Sequence, residues 1–140
     1  MMKVQECIFF QLIKASQAGA GFWTKKVEHL GITASQAMTL NFLGEEDAIL
    51  TNALSQKLQI TSATMTGILD RLERMDLIER RPHPDDRRAI LVCLTEKGAR
   101  YAMQINTIMI EANTEFLNNF SHEQSQNFRN LLKQVWEGRR

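Results

Sequence analysis

The sequence predicts a mainly α-helical protein with one small β-hairpin, arranged as a winged helix-turn-helix core between N- and C-terminal dimerisation helices. Three observations predict this fold class. Apolar residues recur at helical spacing through most of the 140 residues. Two short helical segments precede two strand-like apolar runs in the middle of the chain. Both prolines of the protein lie between those runs, so a hairpin follows the two helices directly, which is the order of a winged helix.

The first third of the chain is predicted to be helical. Apolar residues at spacings of three and four predict one helix over residues 3–30, loosened at Gly19 and Gly21. Thr33 then opens a capping box, in which two side chains satisfy free backbone amides at the start of a helix. The helix that follows is expected to run for about ten residues and to stop at Gly44.

Two short helices joined by a tight turn are predicted next. Residues 51–58 form the first, and Thr61 is the candidate N-cap of the second. The second helix carries an apolar stripe at helical spacing. Its members are Met65, Ile68, Leu69, Leu72 and Met75. This arrangement is typical of a helix-turn-helix.

A β-hairpin is predicted after the second helix. Residues 77–81 and 89–94 are short apolar runs of strand type. The segment 82–88 between them contains Pro82 and Pro84, and proline is disfavoured inside a strand. We therefore expect 82–88 to be the tip of a wing.

The final third returns to helix. Thr95 is predicted to cap a long helix with an apolar seam spaced 3, 4, 3, 4 over about two heptads. The seam consists of Ala102, Ile105, Met109, Ala112 and Phe116. Ser121 opens another capping box and a last amphipathic helix. A monomer of this length could hardly cover the apolar faces of such long terminal helices, so we expect a homodimer.

Composition excludes several classes of protein. The 17 Lys and Arg residues nearly balance the 16 Asp and Glu residues, so bulk charge does not by itself indicate a nucleic-acid partner. No segment approaches the roughly 18 apolar residues of a membrane span, and the N-terminus does not resemble a secretory signal. Cys7 and Cys93 lack metal-like spacing, which fits a reduced, cytoplasmic protein. We expect no membrane partner.

Neither a catalytic nor a metal site is expected. The sequence has no glycine-rich phosphate loop, no nucleophile elbow and no plausible His–carboxylate pair, so we expect no enzyme activity. His29, His83 and His122 share no ligand spacing with acids or cysteines. We therefore expect no metal and no cofactor.

Four blocks within residues 51–98 together resemble one known family. The blocks are Leu54-Ser55-Gln56-Lys57-Leu58, Thr64-Met65-Thr66-Gly67-Ile68-Leu69-Asp70-Arg71-Leu72-Glu73, Asp85-Asp86-Arg87-Arg88-Ala89 and Leu94-Thr95-Glu96-Lys97-Gly98. In this order and spacing they resemble the multiple-antibiotic-resistance regulator (MarR) family of winged-helix transcriptional regulators. Two residues depart from the family pattern: Ser55 stands where family members usually have alanine, and Gln59 replaces the small residue common in the turn. A left-handed conformation at Gln59 would cost about 1 kcal/mol.

The resemblance implies a homodimer on a pseudo-palindromic DNA operator, released by a small-molecule effector. It implies that the second helix enters the major groove and that the wing tip reaches the minor groove. Asp86 and Arg88 match the family's wing signature, in which the acid orients the wing and the arginine inserts. Whether the protein represses or activates transcription stays open.

Candidate DNA contacts lie at the start of the second helix and along the wing. Hydroxyls near a helix N-terminus can cap it, donate to phosphates or meet base edges. Six of the ten arginines lie between residues 71 and 88, where five acids also lie, so ordinary surface ion pairs are the alternative. The candidates are Thr61, Ser62, Thr64, Thr66, Gly67, Arg71, Arg74, Asp86, Arg87 and Arg88.

The remaining expectations concern control and organisation. Phe10, Ile13 and Trp23 are candidates to line a pocket for a small aromatic effector, although core or dimer packing explains them equally well. Two alternative functions stay open. One is a protein-interaction module without DNA affinity, and the other is a thiol-based redox sensor that uses Cys7.

We expect residues 1–30 and 99–140 to form the dimerisation region and 31–98 to form the DNA-binding region of one compact chain.

Overall fold

A computed structural model describes residues 1–138 and confirms a mainly helical chain with a small β-sheet. In chain order the elements are α1 (Ile8–Val27), α2 (Ala34–Glu45), β1 (Ile49–Leu50), α3 (Thr51–Leu58), α4 (Ser62–Arg74), β2 (Ile78–Pro82), β3 (Ile90–Leu94), α5 (Glu96–Phe116) and α6 (His122–Glu137). Short 3-10 turns, Val4–Glu6 and Glu28–Leu30, flank α1. The chain divides into two compact units, Met1–Ile108 and a second that begins at Met109. No helix among the described residues is long and apolar enough to cross a membrane.

Helix α1 differs from its prediction at both predicted weak points. Gly19 and Gly21 lie inside an uninterrupted helix, so the expected loosening there is wrong. A glycine inside a helix costs only about 1 kcal/mol, which the regular residues on either side outweigh. The break lies instead at Cys7, whose backbone is extended between the first 3-10 turn and α1.

Local capping signals set the boundaries of the next helices. The capping box at Thr33 is confirmed, since its hydroxyl accepts from the Gln36 amide at 3.2 Å and the Gln36 side chain accepts from the Thr33 amide at 2.9 Å. Helix α2 ends at Glu45, one residue beyond the glycine predicted to stop it. Thr61 caps α4 as predicted, and Gln59 before it is left-handed with φ 52°.

The sheet has three antiparallel strands in the order β1-β3-β2. The predicted hairpin is confirmed as β2 and β3, with Ile78 opposite Leu94 and Pro82 opposite Ile90. Pro82 ends the edge strand β2, a position where a missing amide does no harm. Strand β1 is not predicted by the sequence, because two residues carry no alternating pattern.

The core of the first unit lies between α2, α3, α4 and the sheet. Four residues of the predicted α4 stripe, Met65, Ile68, Leu69 and Leu72, are buried. Further side chains from the surrounding elements complete this core: Val27, Leu40, Leu43, Leu54, Leu77, Ile78, Val92 and Ile105. Burying one side of α4 leaves its opposite side facing solvent.

The turn between α4 and β2 is joined closely to the start of α5. Asp76 is left-handed with φ 60°, and its carbonyl accepts from the Thr95 hydroxyl at 2.7 Å. The Thr95 hydroxyl also accepts from the Gly98 amide at 2.9 Å, which confirms Thr95 as the cap of α5. A Cβ at Gly98 would lie 1.8 Å from the Leu77 carbonyl oxygen, so only glycine fits there. The Leu-Thr-x-x-Gly motif therefore fixes the end of α4 against α5.

The second unit contains the end of α5 and all of α6. Ser121 forms the predicted capping box with Gln124. The rings of Phe120 and Phe128 stack with centroids 5.8 Å apart. The apolar face of α6 is uncovered in the single chain, with Leu131, Val135 and Trp136 each about half exposed or more.

Candidate nucleic-acid interface

The tight turn between α3 and α4 presents the start of α4 to solvent. The Ile60 amide donates to the Ser55 carbonyl at 3.1 Å across the left-handed Gln59. The Thr61 hydroxyl accepts from the Thr64 amide at 3.2 Å and donates to the Thr64 hydroxyl at 2.9 Å. Thr61 and Thr64 therefore stabilise the first turn of the helix and remain exposed.

The solvent-facing side of α4 carries small polar groups and arginines. Ser62, Thr66, Gly67, Arg71 and Arg74 are all exposed. The Thr66 hydroxyl donates to the Ser62 carbonyl at 2.9 Å, so its oxygen and methyl group are what it offers to a partner. Nothing lies within 4 Å of a Cβ built on Gly67, so this part of the helix surface is low and open. Such a surface can approach the floor of a groove closely.

The wing tip is organised around Asp86. One oxygen of the Asp86 carboxylate accepts a hydrogen bond from the Arg88 amide at 2.9 Å. The backbone carbonyl of Asp86 accepts another from the Ala89 amide at 3.0 Å. The His83 amide donates to the Ala89 carbonyl at 2.9 Å, which extends the β2–β3 pairing towards the tip. The acid thus fixes the backbone from which the Arg88 side chain projects.

The six arginines between residues 71 and 88 fall into two groups. Arg80 lies 2.6 Å from Asp70 and 2.7 Å from Glu73, and Arg81 pairs with Glu79. The other four, which are all predicted contacts, make no ion pair with a carboxylate of residues 1–138: Arg71, Arg74, Arg87 and Arg88. Arg74 donates one hydrogen bond, from Nε to the Asp70 carbonyl at 3.2 Å, and keeps its two Nη groups for other partners. The four guanidinium groups therefore retain donors for phosphates, which the total charge of the segment does not reveal.

The paired arginine changes the ionisation of its neighbour. Hydrogen bonding by Arg80 lowers the pKa of Glu73 below its ordinary value of 4.5. In turn, hydrogen bonds to the carboxylates of Glu73 and Asp70 raise the pKa of Arg80. Glu73 and Arg80 are therefore both charged at neutral pH. The group of Arg80, Asp70 and Glu73 has one positive and two negative formal charges, so Arg80 adds no net positive charge to this surface.

A groove of about 510 Å³ separates the helix-turn-helix from the wing. Ser62 of α4 and Arg88 of the wing line its two sides, together with Asp86. Thr51 and Asn52, at the start of α3, also line it. Sequence reasoning missed these two residues, because no local signal marks them.

The three candidate effector residues do not share one pocket. Trp23 lines a small cleft of about 160 Å³ with Met38, Leu58 and other residues, and its indole donates to the Ala34 carbonyl at 3.3 Å. Phe10 and Ile13 do not line this cleft and are exposed on α1. Because a helix rises 1.5 Å per residue, Phe10 lies about 20 Å from Trp23 along the axis. An effector role for each residue stays a prediction.

The two cysteines differ in accessibility. Cys7 is half-buried and precedes α1, whereas Cys93 is buried in β3. Burial raises the pKa of the Cys93 thiol, with a further contribution from Asp47. Among the described residues, no three His, Cys, Asp or Glu side chains are close enough to hold a metal ion.

Comparison with known proteins gives a consistent result. The model of the MarR family matches residues 32–90. The organic hydroperoxide resistance transcriptional regulator of Bacillus subtilis is 31% identical over 98 residues, which are 70% of this chain and 67% of that protein. A probable transcriptional regulator from Pseudomonas aeruginosa is 28% identical with a TM-score of 0.88, covering 95% of this chain and 99% of that one. A MarR transcriptional regulator from Methanosarcina mazei is 27% identical with a TM-score of 0.82, covering 94% of each chain.

Proposed function

The chain belongs to the MarR family of transcriptional regulators, and from that premise we propose that it binds double-stranded DNA at an operator. The observation that carries the proposal is the set of four unpaired arginines on the exposed face of α4 and on the wing. Helix α4 enters the major groove, and Arg88 enters the minor groove, where negative potential attracts arginine. The protein acts in the cytoplasm and catalyses no reaction.

The predicted contacts divide into residues that order α4 or the wing and residues that touch DNA. Thr61 and Thr64 order the first turn of α4, and Ser62 meets phosphate with Arg71 and Arg74. Thr66 and Gly67 face the base edges. Arg87 and Arg88 contact the DNA from the wing, and Asp86 orients them without touching DNA.

The operator-binding form is a homodimer. Exposed apolar side chains on α1 and on α6 support this step: Ile8, Phe9, Leu12, Ile13, Leu131, Val135 and Trp136. Two copies that bury these faces present two α4 helices to a pseudo-palindromic site. Deletion of residues 121–140 is expected to abolish dimerisation and operator binding together. A DNA-binding monomer in sedimentation would contradict this step.

A small aromatic effector releases the protein from DNA. The cleft beside Trp23 supports this step, because it lies between α1, α2 and the turn that precedes α4. A ligand shifts the balance only if it binds the DNA-free state more tightly. With Trp136 replaced by Phe, the fluorescence of Trp23 should change on addition of salicylate, and operator affinity should fall. If a broad panel of aromatic acids changes neither signal, DNA binding is constitutive.

Thiol oxidation at Cys7 is a second candidate for control. Two observations favour it: Cys7 is half-buried rather than enclosed, and the Bacillus subtilis relative is named for organic hydroperoxide resistance. Cumene hydroperoxide, which oxidises a thiol to a sulfenic acid, should then weaken operator binding in the wild-type protein but not in Cys7→Ser. Equal operator binding before and after treatment would rule it out.

The direct test is selection of DNA fragments from a random-sequence pool. We expect one inverted repeat to be enriched, with binding that weakens steeply as salt rises. Thr66→Ala should blur the base preference at the centre of each half-site without changing the salt dependence. Thr107→Ala is the matched control, because Thr107 is exposed on α5 and makes the same hydrogen bond one turn back. Recovery of no common sequence would favour the protein-interaction module instead.

A further inference from the structure

One arginine joins the wing to the DNA-facing helix. Arg80 lies on β2, and its Nη2 atom donates to Asp70 Oδ1 at 2.6 Å and to Glu73 Oε2 at 2.7 Å. Asp70 and Glu73 are three residues apart on α4. We call these three side chains the Arg80 clamp. It adds a link between α4 and β2, which are also joined by the turn at 75–77 and share the core that contains Leu72 and Ile78.

The position of the clamp gives it control over the wing tip. Strand β2 pairs with β3 on one side only, since the strand order is β1-β3-β2. Two further strand residues, Arg81 and Pro82, separate Arg80 from the turn of the wing tip, which begins at His83 about 10 Å beyond Arg80. A rotation of the hairpin by about 10° at Arg80 would therefore move the start of the tip by about 1.7 Å. Such a shift exceeds the tolerance of a hydrogen bond.

The clamp lies beside the groove that faces the proposed DNA site. Arg80 lines that groove together with Ser62 of α4 and Arg88 of the wing. Its side chain is 28% exposed, and Nη2 is already engaged by both carboxylates. Arg80 thus lies between the two proposed DNA-contacting elements, and the carboxylates of Asp70 and Glu73 on α4 neutralise its positive charge.

We propose that Arg80 is a positioning residue, which sets the angle of the wing relative to α4 so that Arg88 and the α4 face engage the same stretch of DNA. This inference rests on the proposed function. Arg80 acts through Arg88 and not by contact with DNA. Asp70 and Glu73, although negatively charged on the DNA-facing helix, are needed for tight binding because they hold Arg80.

One double variant distinguishes electrostatic attraction from positioning, because the two effects change its affinity for DNA in opposite directions. The double variant D70N/E73Q removes two negative charges near the DNA, so electrostatic attraction alone would tighten binding. Loss of the clamp should instead weaken it by about tenfold, the lower part of the range for one lost arginine contact. Asn and Gln keep the size of the side chains they replace. E28Q/E45Q is the matched control, because it removes two exposed acids that do not contact the wing.

A second measurement separates positioning from direct contact. R80Q should also weaken binding by about tenfold. In an R88A background, neither R80Q nor D70N/E73Q should weaken binding further, because the contact that they position is already gone. If Arg80 touched phosphate itself, the effects of R80Q and R88A would multiply, and D70N/E73Q would tighten binding by freeing Arg80.

The assay is fluorescence anisotropy with the duplex that the wild-type protein selects, with folding of each variant checked by circular dichroism. Weaker binding by D70N/E73Q, unchanged or tighter binding by E28Q/E45Q and no added effect in R88A support the proposal. Tighter binding by D70N/E73Q, or multiplying effects of R80Q and R88A, overturn it. Failure of the wild-type protein to bind any duplex would instead overturn the proposed function.

Discussion

Replacing Gly98 by alanine tests how the end of α4 is fixed against α5. The new Cβ would lie 1.8 Å from the Leu77 carbonyl oxygen and 2.8 Å from its carbon, and both are backbone atoms. An ordinary contact needs about 3.4 Å, so the two segments must separate by about 1.6 Å. The neighbouring hydrogen bonds from Thr95 to Leu77, at 3.2 Å, and from Lys97 to Met75, at 2.7 Å, would then stretch or break.

The expected loss follows from these contacts. Overpacking costs about 1–3 kcal/mol, and each hydrogen bond contributes about 1 kcal/mol, more when it is buried. We therefore expect Gly98→Ala to lower the free energy of unfolding by about 3 kcal/mol, which lowers Tm by about 10 °C. Gly98 is buried, so solvent cannot relieve the clash.

Urea and thermal unfolding followed by circular dichroism measure this loss, at one fixed protein concentration because an oligomer adds to stability. Gly67→Ala is the control, since a Cβ at Gly67 would meet nothing within 4 Å and the backbone there is helical. That variant should gain about 0.5–1 kcal/mol. A Gly98→Ala protein as stable as the wild type would refute the close approach of α5 to the α4–β2 turn.

Three further predictions concern single residues. Gln59→Gly should raise the free energy of unfolding by about 0.5–1 kcal/mol in urea titration, because φ at this position is 52°; no gain would mean that the turn is not left-handed. Arg80 lowers the pKa of Glu73, so this carboxylate adds stability above pH 4.5 that is lost as the pH falls through the lowered value. The stability advantage of wild-type protein over Glu73→Gln should therefore be less than about 1 kcal/mol at pH 7 and should shrink as the pH falls through the lowered pKa of Glu73, whereas a pH-independent gap would contradict the pairing. A thiol reagent should label Cys7 faster than the buried Cys93, and equal rates in the native protein would contradict their placement.

Local features of the fold were predictable from sequence, because their cause lies within a few residues. The caps at Thr33, Thr61 and Ser121 each need a hydroxyl and an amide three residues apart. The α4 stripe and the proline-containing wing tip are likewise short patterns. Each determines its element without help from distant residues.

Features that depend on contacts between distant segments could not be predicted in the same way. Strand β1 exists because it pairs with Val92 and Leu91, and its own two residues carry no signal. The pairing of Arg80 with Asp70 spans ten residues and two elements, so counting charges could not separate it from the four available arginines. The requirement for glycine at 98 likewise arises from the Leu77 carbonyl, which the sequence pattern does not reveal.

The central claim is that the wing contacts DNA through Arg88. The most direct test compares Arg88→Ala with Arg100→Ala, which removes the same charge from an exposed position on α5. Operator affinity is measured by anisotropy across a range of salt concentrations. We expect Arg88→Ala to weaken binding by about 1–3 kcal/mol and to flatten the salt slope by about one unit, while Arg100→Ala changes neither. Equal affinities and salt slopes for the two variants would contradict the claim.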